Sequence, residues 1–563
     1  MSATAATGVQ APQSGELSHR QIMTILSGLL LGMFLAALDQ TIVSTAIRTI
    51  GDDLNGLSVQ AWVTTAFLIT STISTPLFGK LSDIYGRKRL YMIAITIFIL
   101  GSALCGLATN MYMLAAFRAF QGIGAGGIMP LALAIIGDII PPRERARYQG
   151  YFMATFATAS VLGPVVGGFF AGAHSILGVT GWRWIFYINV PVGFLALAVV
   201  YRVFNIAHHR HEHRIDWTGA AALIVGLVPL LVIAEQGRIW GWGSGGAWTC
   251  YALGVIGIVW FIRTEATVGD DALLPLRLFK RGVFAIGSVQ SLIIGMGMFG
   301  GLAAIPLYLQ IVKGASPTKA GLLLLPLVLG MMAASLTTGQ VTSRTGRYKI
   351  FPIIGSAFLV VGLLLMTRIG ADTALWQVDI YMLIFGAGLG MNMQTLVLAM
   401  QNSVDPRDMG VATAATTFFR QVGGTLGTAV FLSILFSQAG SHIGNNYASA
   451  RATDAFKAAE AAHPDQAKSL ANLHDLNDTG FLHGMNKVLS RPFLTGFSSA
   501  MDMVFLVGAC VLVIAFVLSL FMKEVPLRTM SGMQAAAAAA AATDPNVADA
   551  AGATHDPEPH PQR

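Results

Sequence analysis

The sequence predicts an all-α polytopic membrane protein, and three observations carry that reading. Of 563 residues, 54% are apolar and only 11% are charged, against about 25% charged in an ordinary soluble domain. Apolar runs of spanning length, about 20 residues each, recur from one end of the chain to the other. The loops between them alternate between strongly basic and nearly free of Lys and Arg. A soluble enzyme of this size would need far more polar surface, and the mean hydropathy of +0.64 excludes it.

The apolar runs fall near 22–47, 58–78, 90–109, 112–136, 150–172, 184–204, 217–234, 247–263, 283–309, 320–341, 350–368, 377–400, 411–436 and 501–522, fourteen in all. Each is expected to be a helix, because an open sheet leaves its backbone unsatisfied in lipid. Many contain Gly or Pro, which spans tolerate where neighbouring helices pack closely. Basic residues follow the even-numbered runs: Lys80, Arg87, Lys88 and Arg89; Arg143, Arg145 and Arg147; Arg202, Arg210 and Arg214; Arg277, Lys280 and Arg281; Arg344, Arg347 and Lys349. By the positive-inside rule these loops face the cytoplasm, so both termini are expected inside. The same distribution accounts for the net charge of +7 without nucleic acid as a partner.

The polar ends and insertions complete the organisation. Residues 1–20 read as a cytoplasmic tail without a cleavable signal peptide. Residues 437–500 are polar and are expected as an extracellular loop holding a short helix at 452–462. The tail 524–563 contains the alanine run Ala535–Ala542 and a Pro/Asp/His-rich end, and is expected to be disordered. Cys105, Cys250 and Cys510 fit neither a disulfide framework nor a metal site. The His208–His213 run can bind metal only adventitiously, so no metal and no cofactor is expected. The absence of a G-x-x-x-x-G-K-[ST] loop excludes ATP as the energy source, and no nucleotide partner is expected.

The chain repeats internally. Gly79–Arg89, GKLSDIYGRKR, matches Gly339–Lys349, GQVTSRTGRYK, and Gly122, Gly124 and Gly126 match Gly386, Gly388 and Gly390. Two six-helix halves, 21–205 and 273–523, therefore flank a two-helix linker at 206–272. Repeated halves around a midplane cavity are the architecture of secondary transporters.

Residues carrying chemistry stand out against this apolar background. Asp39 lies inside the first span, and an ionisable group at that depth is a functional candidate by default. Burial favours the neutral acid, which suits reversible protonation. Arg118 lies within the fourth span and must face the bundle interior and find a partner; Asp39 is one possible partner. Gly79, Asp83, Gly86, Arg87 and Lys88 form a tight basic turn, where Asp83 can sit against a helix N-terminus or a neighbouring Arg. Gly163, Pro164, Gly167 and Gly168 permit close helix approach and a bend in the fifth span. Trp182–Gly193 reads as a structural interface belt. Arg420 is a second intramembrane cation. Asn392 and Gln394 offer polar contacts in a midplane cavity, and Glu235 and Asp502 near the outer surface offer attraction for cations. Met296, Met298, Met331, Met332, Met391 and Met393 suit a promiscuous surface but more often pack a core.

These motifs resemble the major facilitator superfamily, and within it the fourteen-span drug:proton antiporters of the EmrB/QacA type. The resemblance covers about residues 20–525. The loop signature G-x-L-x-D-x-x-G-R-K-x is complete at Gly79–Arg89. The Arg-Gln-Gly-x-Gly signature of helix 4 is matched by Arg118 and Gln121–Gly124, with Ala119 and Phe120 between. The helix 5 antiporter signature is present as Gly163-Pro164-x-x-Gly167-Gly168, with Ala159 replacing its leading glycine, and Arg420-Gln421-Val422-Gly423-Gly424 matches helix 13 of the subgroup. Leu38–Val43 matches its helix 1, although Arg48 stands where a proline is usual.

The resemblance implies a major facilitator fold of 6+2+6 helices in the cytoplasmic (inner) membrane. It implies proton-coupled export of amphipathic or cationic compounds, with lipid, protons and a small-molecule substrate as partners and no enzymatic activity. Asp39 would carry the coupled proton, Arg118 would tune its release, and the Gly163–Gly168 segment would be the exporter's hinge. The same fold exporting one dedicated metabolite, lipid or siderophore is the alternative.

Overall fold

The computed structural model describes residues 19–54, 59–203, 216–405, 408–469 and 484–528. Helices dominate it, as lipid demands of a chain that must satisfy its backbone internally. In the first half they are α1 (His19–Asp53), α2 (Ala61–Tyr85), α3 (Arg87–Gly106), α4 (Met111–Ile139), α5 (Pro142–Gly172), α6 (Trp184–Tyr187) and α7 (Asn189–Val203). The linker contributes α8 (Trp217–Trp240) and α9 (Gly245–Val268). The second half holds α10 (Leu276–Phe279), α11 (Gly282–Leu307), α12 (Pro317–Leu323), α13 (Leu325–Thr345), α14 (Ile350–Met366), α15 (Leu375–Ser403), α16 (Met409–Arg451), α17 (Asp454–Ala462), α18 (Pro464–Ser469) and α19 (Lys487–Phe521).

Helix ends follow side-chain chemistry. Asn110, Asp216, Ser244 and Ser316 each accept a backbone N–H of the first turn they precede, supplying donors with the partner the helix cannot. Gly86 separates α2 from α3 at φ 96°, a turn that disfavours any residue with a Cβ. A two-residue hairpin, Ser175–Ile176 with Val179–Thr180, joins α5 to α6. Its corner residues Leu177 and Gly178 both have positive φ, as a tight right-twisted hairpin requires.

The internal repeat is visible as packing. In the first half α1 packs on α5, α2 on α4, α3 on α4, and α7 on both α1 and α3. In the second half the same scheme recurs: α11 on α16, α13 on α15, α14 on α15, and α19 on both α11 and α14. The halves meet through α2 with α16 and through α5 with α13, two contacts that the repeat relates to each other. Glycines in α4 and α15 make this possible. Gly122 and Gly126 lie against the α2 backbone, as Gly386 and Gly390 lie against that of α13. The linker pair α8–α9 packs on α2 and α16 through α8.

Among the described residues, twelve helical segments are long and apolar enough to cross a membrane. The other two apolar runs correspond to α2, which is rich in Ser and Thr, and α14, which has 17 residues. By helix length and composition the protein is a multi-pass membrane protein.

Two expectations need correction. The segment 437–500 is not a plain loop. Helix α16 runs unbroken to Arg451 and α19 begins at Lys487. Leu435, Ala439, Ile443 and Tyr447, spaced by one helical turn, are buried. Tyr447 Oη donates to Leu489 O at 3.0 Å, and Gly496 lies against Ile443, so the two helices stay paired beyond the apolar stretch. The short helix expected at 452–462 is present as α17, and residues 470–483 lie outside the described residues. The second correction concerns the tail, which is ordered at 524–528. Glu524 accepts from Tyr348 N at 3.0 Å, and Asn402 Nδ2 donates to Val525 O and Pro526 O at 3.1 Å each. Residues 529–563, the tail 1–18 and the His208–His213 run lie outside the described residues. The apolar run expected at 22–47 falls within a spanning segment, His19–Ile47, and its helix continues to Asp53, with no proline after Asp39 to interrupt it.

Candidate functional site: a buried ion-pair network and a gate between the halves

Asp39 and Arg118 meet. Arg118 donates to Asp39 Oδ2 at 2.6 Å, and both side chains are almost wholly excluded from solvent, at 1% exposure for Arg118 and 0% for Asp39. Neighbouring helices complete the shell. Gln121, one turn after Arg118 on α4, donates from Nε2 to Asp39 Oδ1 at 3.0 Å and accepts from Arg118 at 2.7 Å. Asn189, at the start of α7, donates to the same Asp39 Oδ1 at 2.8 Å. Its Nδ2 also reaches Ser102 Oγ on α3 at 3.0 Å, and Ser102 in turn donates to Phe186 O. The guanidinium stacks over the Phe67 ring of α2, 4.0 Å from its centroid.

Two charges at membrane depth persist only when paired and hydrogen-bonded, and this carboxylate accepts from three side chains. The shell is nevertheless incomplete. Arg118 Nε and Asn189 Oδ1 are buried without a partner among the described residues, so the cluster has unused polar capacity for a rearranged state.

The helix 5 motif lies immediately beside it. Thr41, two residues after Asp39, donates to Ala159 O on α5 at 3.1 Å. A Cβ on Gly163 would fall on the Thr41 hydroxyl, and one on Gly167 would press on Ile42 O. Ala159, where the sequence pattern lacks its glycine, thus receives the interhelix bond through its carbonyl, for which its side chain is irrelevant. Pro164 contacts Gly321 of α12 across the halves. Gly168 is exposed.

The second constellation joins the halves on the face that carries the basic loops. Arg87 pairs with Asp83 at 2.5 Å and with Asp138 of α4 at 2.8 Å, and donates to Ser82 Oγ. Asp83 and Arg87 both press on Gly410, in the first turn of α16, so closely that a Cβ there would clash with either. Asp83 therefore has both neighbours the sequence suggests, an Arg and a helix N-terminus. Burial pushes its carboxyl up to about 6, against the opposing pull of Arg87. Gly79 abuts Ala414 of α16. Lys88 turns away and donates to Tyr201 O of α7 at 2.7 Å within its own half.

Further bonds seal the same face. Arg145 donates to Gln401 Oε1 at 2.5 Å and to Gly137 O at 2.6 Å. Gln401 donates to Thr413 Oγ1 at 2.7 Å. Thr75 of α2 donates to Gln421 of α16 at 3.2 Å. The conformation is closed on the basic-loop face.

The weaker candidates do not gather at one place. Asn392 is buried and donates to Gly388 O of its own helix at 2.9 Å. Gln394, Arg420 and Glu235 are half-buried on three different helices, and Glu235 faces Thr65 of α2. Asp502 is half-buried on α19, with Oδ1 lacking a partner among the described residues. No cluster of metal-ligating side chains occurs among the described residues.

Sequence reasoning missed Asn189, Gln121, Ser102, Arg145 and Gln401. Amides are unremarkable in apolar spans, and Arg145 counts as one more topogenic charge until its partner is known. Gln121 alone carried a usable signal, one helical turn from Arg118 on the same face.

Comparison with known proteins gives the family. The chain is 34% identical over 533 residues to Multidrug transporter protein MdtP of Bacillus subtilis, covering 92% of this chain and 95% of that protein. It is 32% identical to Multidrug resistance protein 3 of the same organism, covering 90% and 96%. An uncharacterized MFS-type transporter of Mycobacterium tuberculosis is 36% identical, covering 89% of this chain and 70% of that protein. Among solved structures, the proton:xylose symporter XylE superposes with a TM-score of 0.55 at 16% identity, covering 92% of this chain and 99% of that one, which speaks for the fold. The profile of the Major Facilitator Superfamily matches residues 29–428, and the chain belongs to that superfamily.

Proposed function

We propose that this protein is a proton-coupled exporter of amphipathic or cationic toxic compounds. It would cross the cytoplasmic membrane fourteen times with both termini inside, and work by alternating access. The observation that carries the reading is the buried Asp39–Arg118 pair held by Gln121 and Asn189, in a chain whose relatives are named multidrug transporters.

A proton arriving at Asp39 removes the negative charge that holds Arg118, Gln121 and Asn189 in place. The three donors then compete for other acceptors, and α1, α4 and α7 lose their common anchor. Thr41 passes this change to α5, which meets the other half through Pro164 and Gly321. On the basic-loop face, breaking Asp83 and Arg87 from the α16 N-terminus would admit substrate from the cytoplasm or inner leaflet. Exchange follows if proton and substrate favour opposite conformations, since only differential affinity shifts such an equilibrium.

The test is ethidium efflux from cells, with and without a proton uncoupler, for the unmodified protein and Asp39→Asn at matched membrane levels. Uncoupler-sensitive efflux that Asp39→Asn abolishes is expected. Efflux that survives the substitution removes Asp39 as the coupling acid.

A further inference from the structure

The linker helices hold a second pair of buried carboxyls. Asp216 caps α8 and is 4% exposed, and Glu265 lies in the last turn of α9 and is 1% exposed. Each has one oxygen anchored and one free. Asp216 Oδ1 accepts from Gly219 N and Thr218 Oγ1, both at 2.7 Å. Glu265 Oε2 accepts from Leu274 N at 2.9 Å. Asp216 Oδ2 and Glu265 Oε1 are buried and have no hydrogen-bond donor among the described residues.

The two free oxygens border the same spot: a Cβ built on Gly219 would fall onto Asp216 Oδ2 and lie 3.1 Å from Glu265 Oε1. Only a glycine at the third residue of α8 leaves room for both. Two ionised carboxylates are acceptors only, and in one buried site each disfavours the charge of the other. One proton resolves the conflict, because it leaves a single negative charge in the site.

We propose that Asp216 and Glu265 form a proton-binding pair, which holds a single proton between the two carboxyls. The charged groups around it come from the gate. Lys80 of α2, itself buried, faces Glu265. Lys80 also faces Asp83, Asp271, Asp408 and Arg277, and Arg277 holds Asp408, the residue preceding α16, through two bonds at 2.8 and 2.9 Å. Taking up the proton removes one negative charge beside Lys80 and strengthens the pull of the gate carboxylates on it. The linker thereby senses protons on the basic-loop face, separately from Asp39. The pair stands whether or not the chain exports drugs.

The test is infrared difference spectroscopy on the full chain in lipid nanodiscs across a pH titration. The protein should show a protonated-carboxyl stretching band that is lost in both Asp216→Asn and Glu265→Gln and kept in Asp39→Asn. Both substitutions retain the anchoring acceptor, and Asn still caps a helix. A band that survives Asp216→Asn would mean that Glu265 is protonated on its own account, and overturns the pair; so does the absence of any band assigned to either residue. On the unmodified chain, dicyclohexylcarbodiimide, which captures protonated carboxyls in apolar sites, should label one member of the pair per molecule. Mass spectrometry finding both labelled in one molecule, or neither, overturns the proposal as well.

Discussion

Asn189 and Asp39 are bound at 2.8 Å although they sit on different helices, 150 positions apart in the chain. The bond makes α7 part of the acid's immediate surroundings. A hydrogen bond to a charged group contributes about 1.5–3 kcal/mol. Asn189→Ala is expected to cost about that much in unfolding free energy, read by thermal denaturation in detergent. With one donor fewer, Asp39 is held less firmly between α1, α4 and α7, so efflux at matched membrane levels should fall. Unchanged efflux would confine Asn189 to packing.

Removing either member of the Asp39–Arg118 pair should behave very differently from removing both. A lone buried charge costs about 3–5 kcal/mol, whereas an apolar replacement of both partners is often tolerated. Arg118→Leu is therefore expected to be less stable than Asp39→Leu with Arg118→Leu together. The double-mutant cycle should give a coupling energy well above the roughly 0.5 kcal/mol within which independent sites add. Transport should be lost in all three, so stability is the informative readout. Additive effects would mean that the pair is not a unit.

Much of this site was legible because charge is rare in the chain. With 11% charged residues, Asp39 and Arg118 stand out at once within apolar runs, and the alternation of Gly122, Gly124 and Gly126 marks helix contacts by its spacing alone. The partners were hidden for the complementary reason. Gln121 and Asn189 carry no charge, and Asn189 lies in a Trp/Tyr-rich run that reads as interface. Asp216 and Glu265 stand at the ends of spans, where a carboxylate is ordinarily solvated, and only the fold of the linker turns them inward. The helical extension of α16 beyond residue 436 was obscured by its composition. Its turns are half polar, and the buried stripe of Ala439, Ile443 and Tyr447 is recognisable only against α19.

The gate should respond to pH in a definite direction. Burial raises the Asp83 carboxyl to about 6, above its unfolded range of about 4. Between those two values the folded chain holds a proton that the unfolded chain has released, so the contribution of Asp83 to stability falls as pH rises through that window. The same linkage acts on the gate. Asp83 lies against the α16 N-terminus in the closed state, and its raised carboxyl binds a proton more tightly there than when hydrated in an open state, so protonation favours closure. Spin labels on the basic-loop ends of α2 and α16 should therefore draw together as pH falls through about 6, and Asp83→Asn should abolish that step. A step of equal size in Asp83→Asn would transfer it to another group, Asp216 and Glu265 being the next to examine.

Gly410 offers the sharpest steric test of the closed state. A single Cβ at this position would fall onto Arg87 Nη1 and lie 2.5 Å from Asp83 Oδ1, closer than nonbonded atoms approach. In a helix, Gly→Ala is otherwise favourable by about 0.5–1 kcal/mol, so α16 itself gains from the change. The clash exists only while the halves are together on the basic-loop face. Gly410→Ala should thus leave the fold intact, or slightly stabilise it, while shifting the population towards the conformation open on that face. Expected readouts are faster thiol labelling of a cysteine placed at Ala414, which abuts Gly79 in the closed state, and reduced efflux at normal membrane levels. Because a bulkier residue elsewhere on α16 would not discriminate between conformations, Gly440→Ala, which meets nothing within 4 Å, is the control. Equal labelling in Gly410→Ala and the control would show that Asp83 and Arg87 yield to the added methyl without opening the gate.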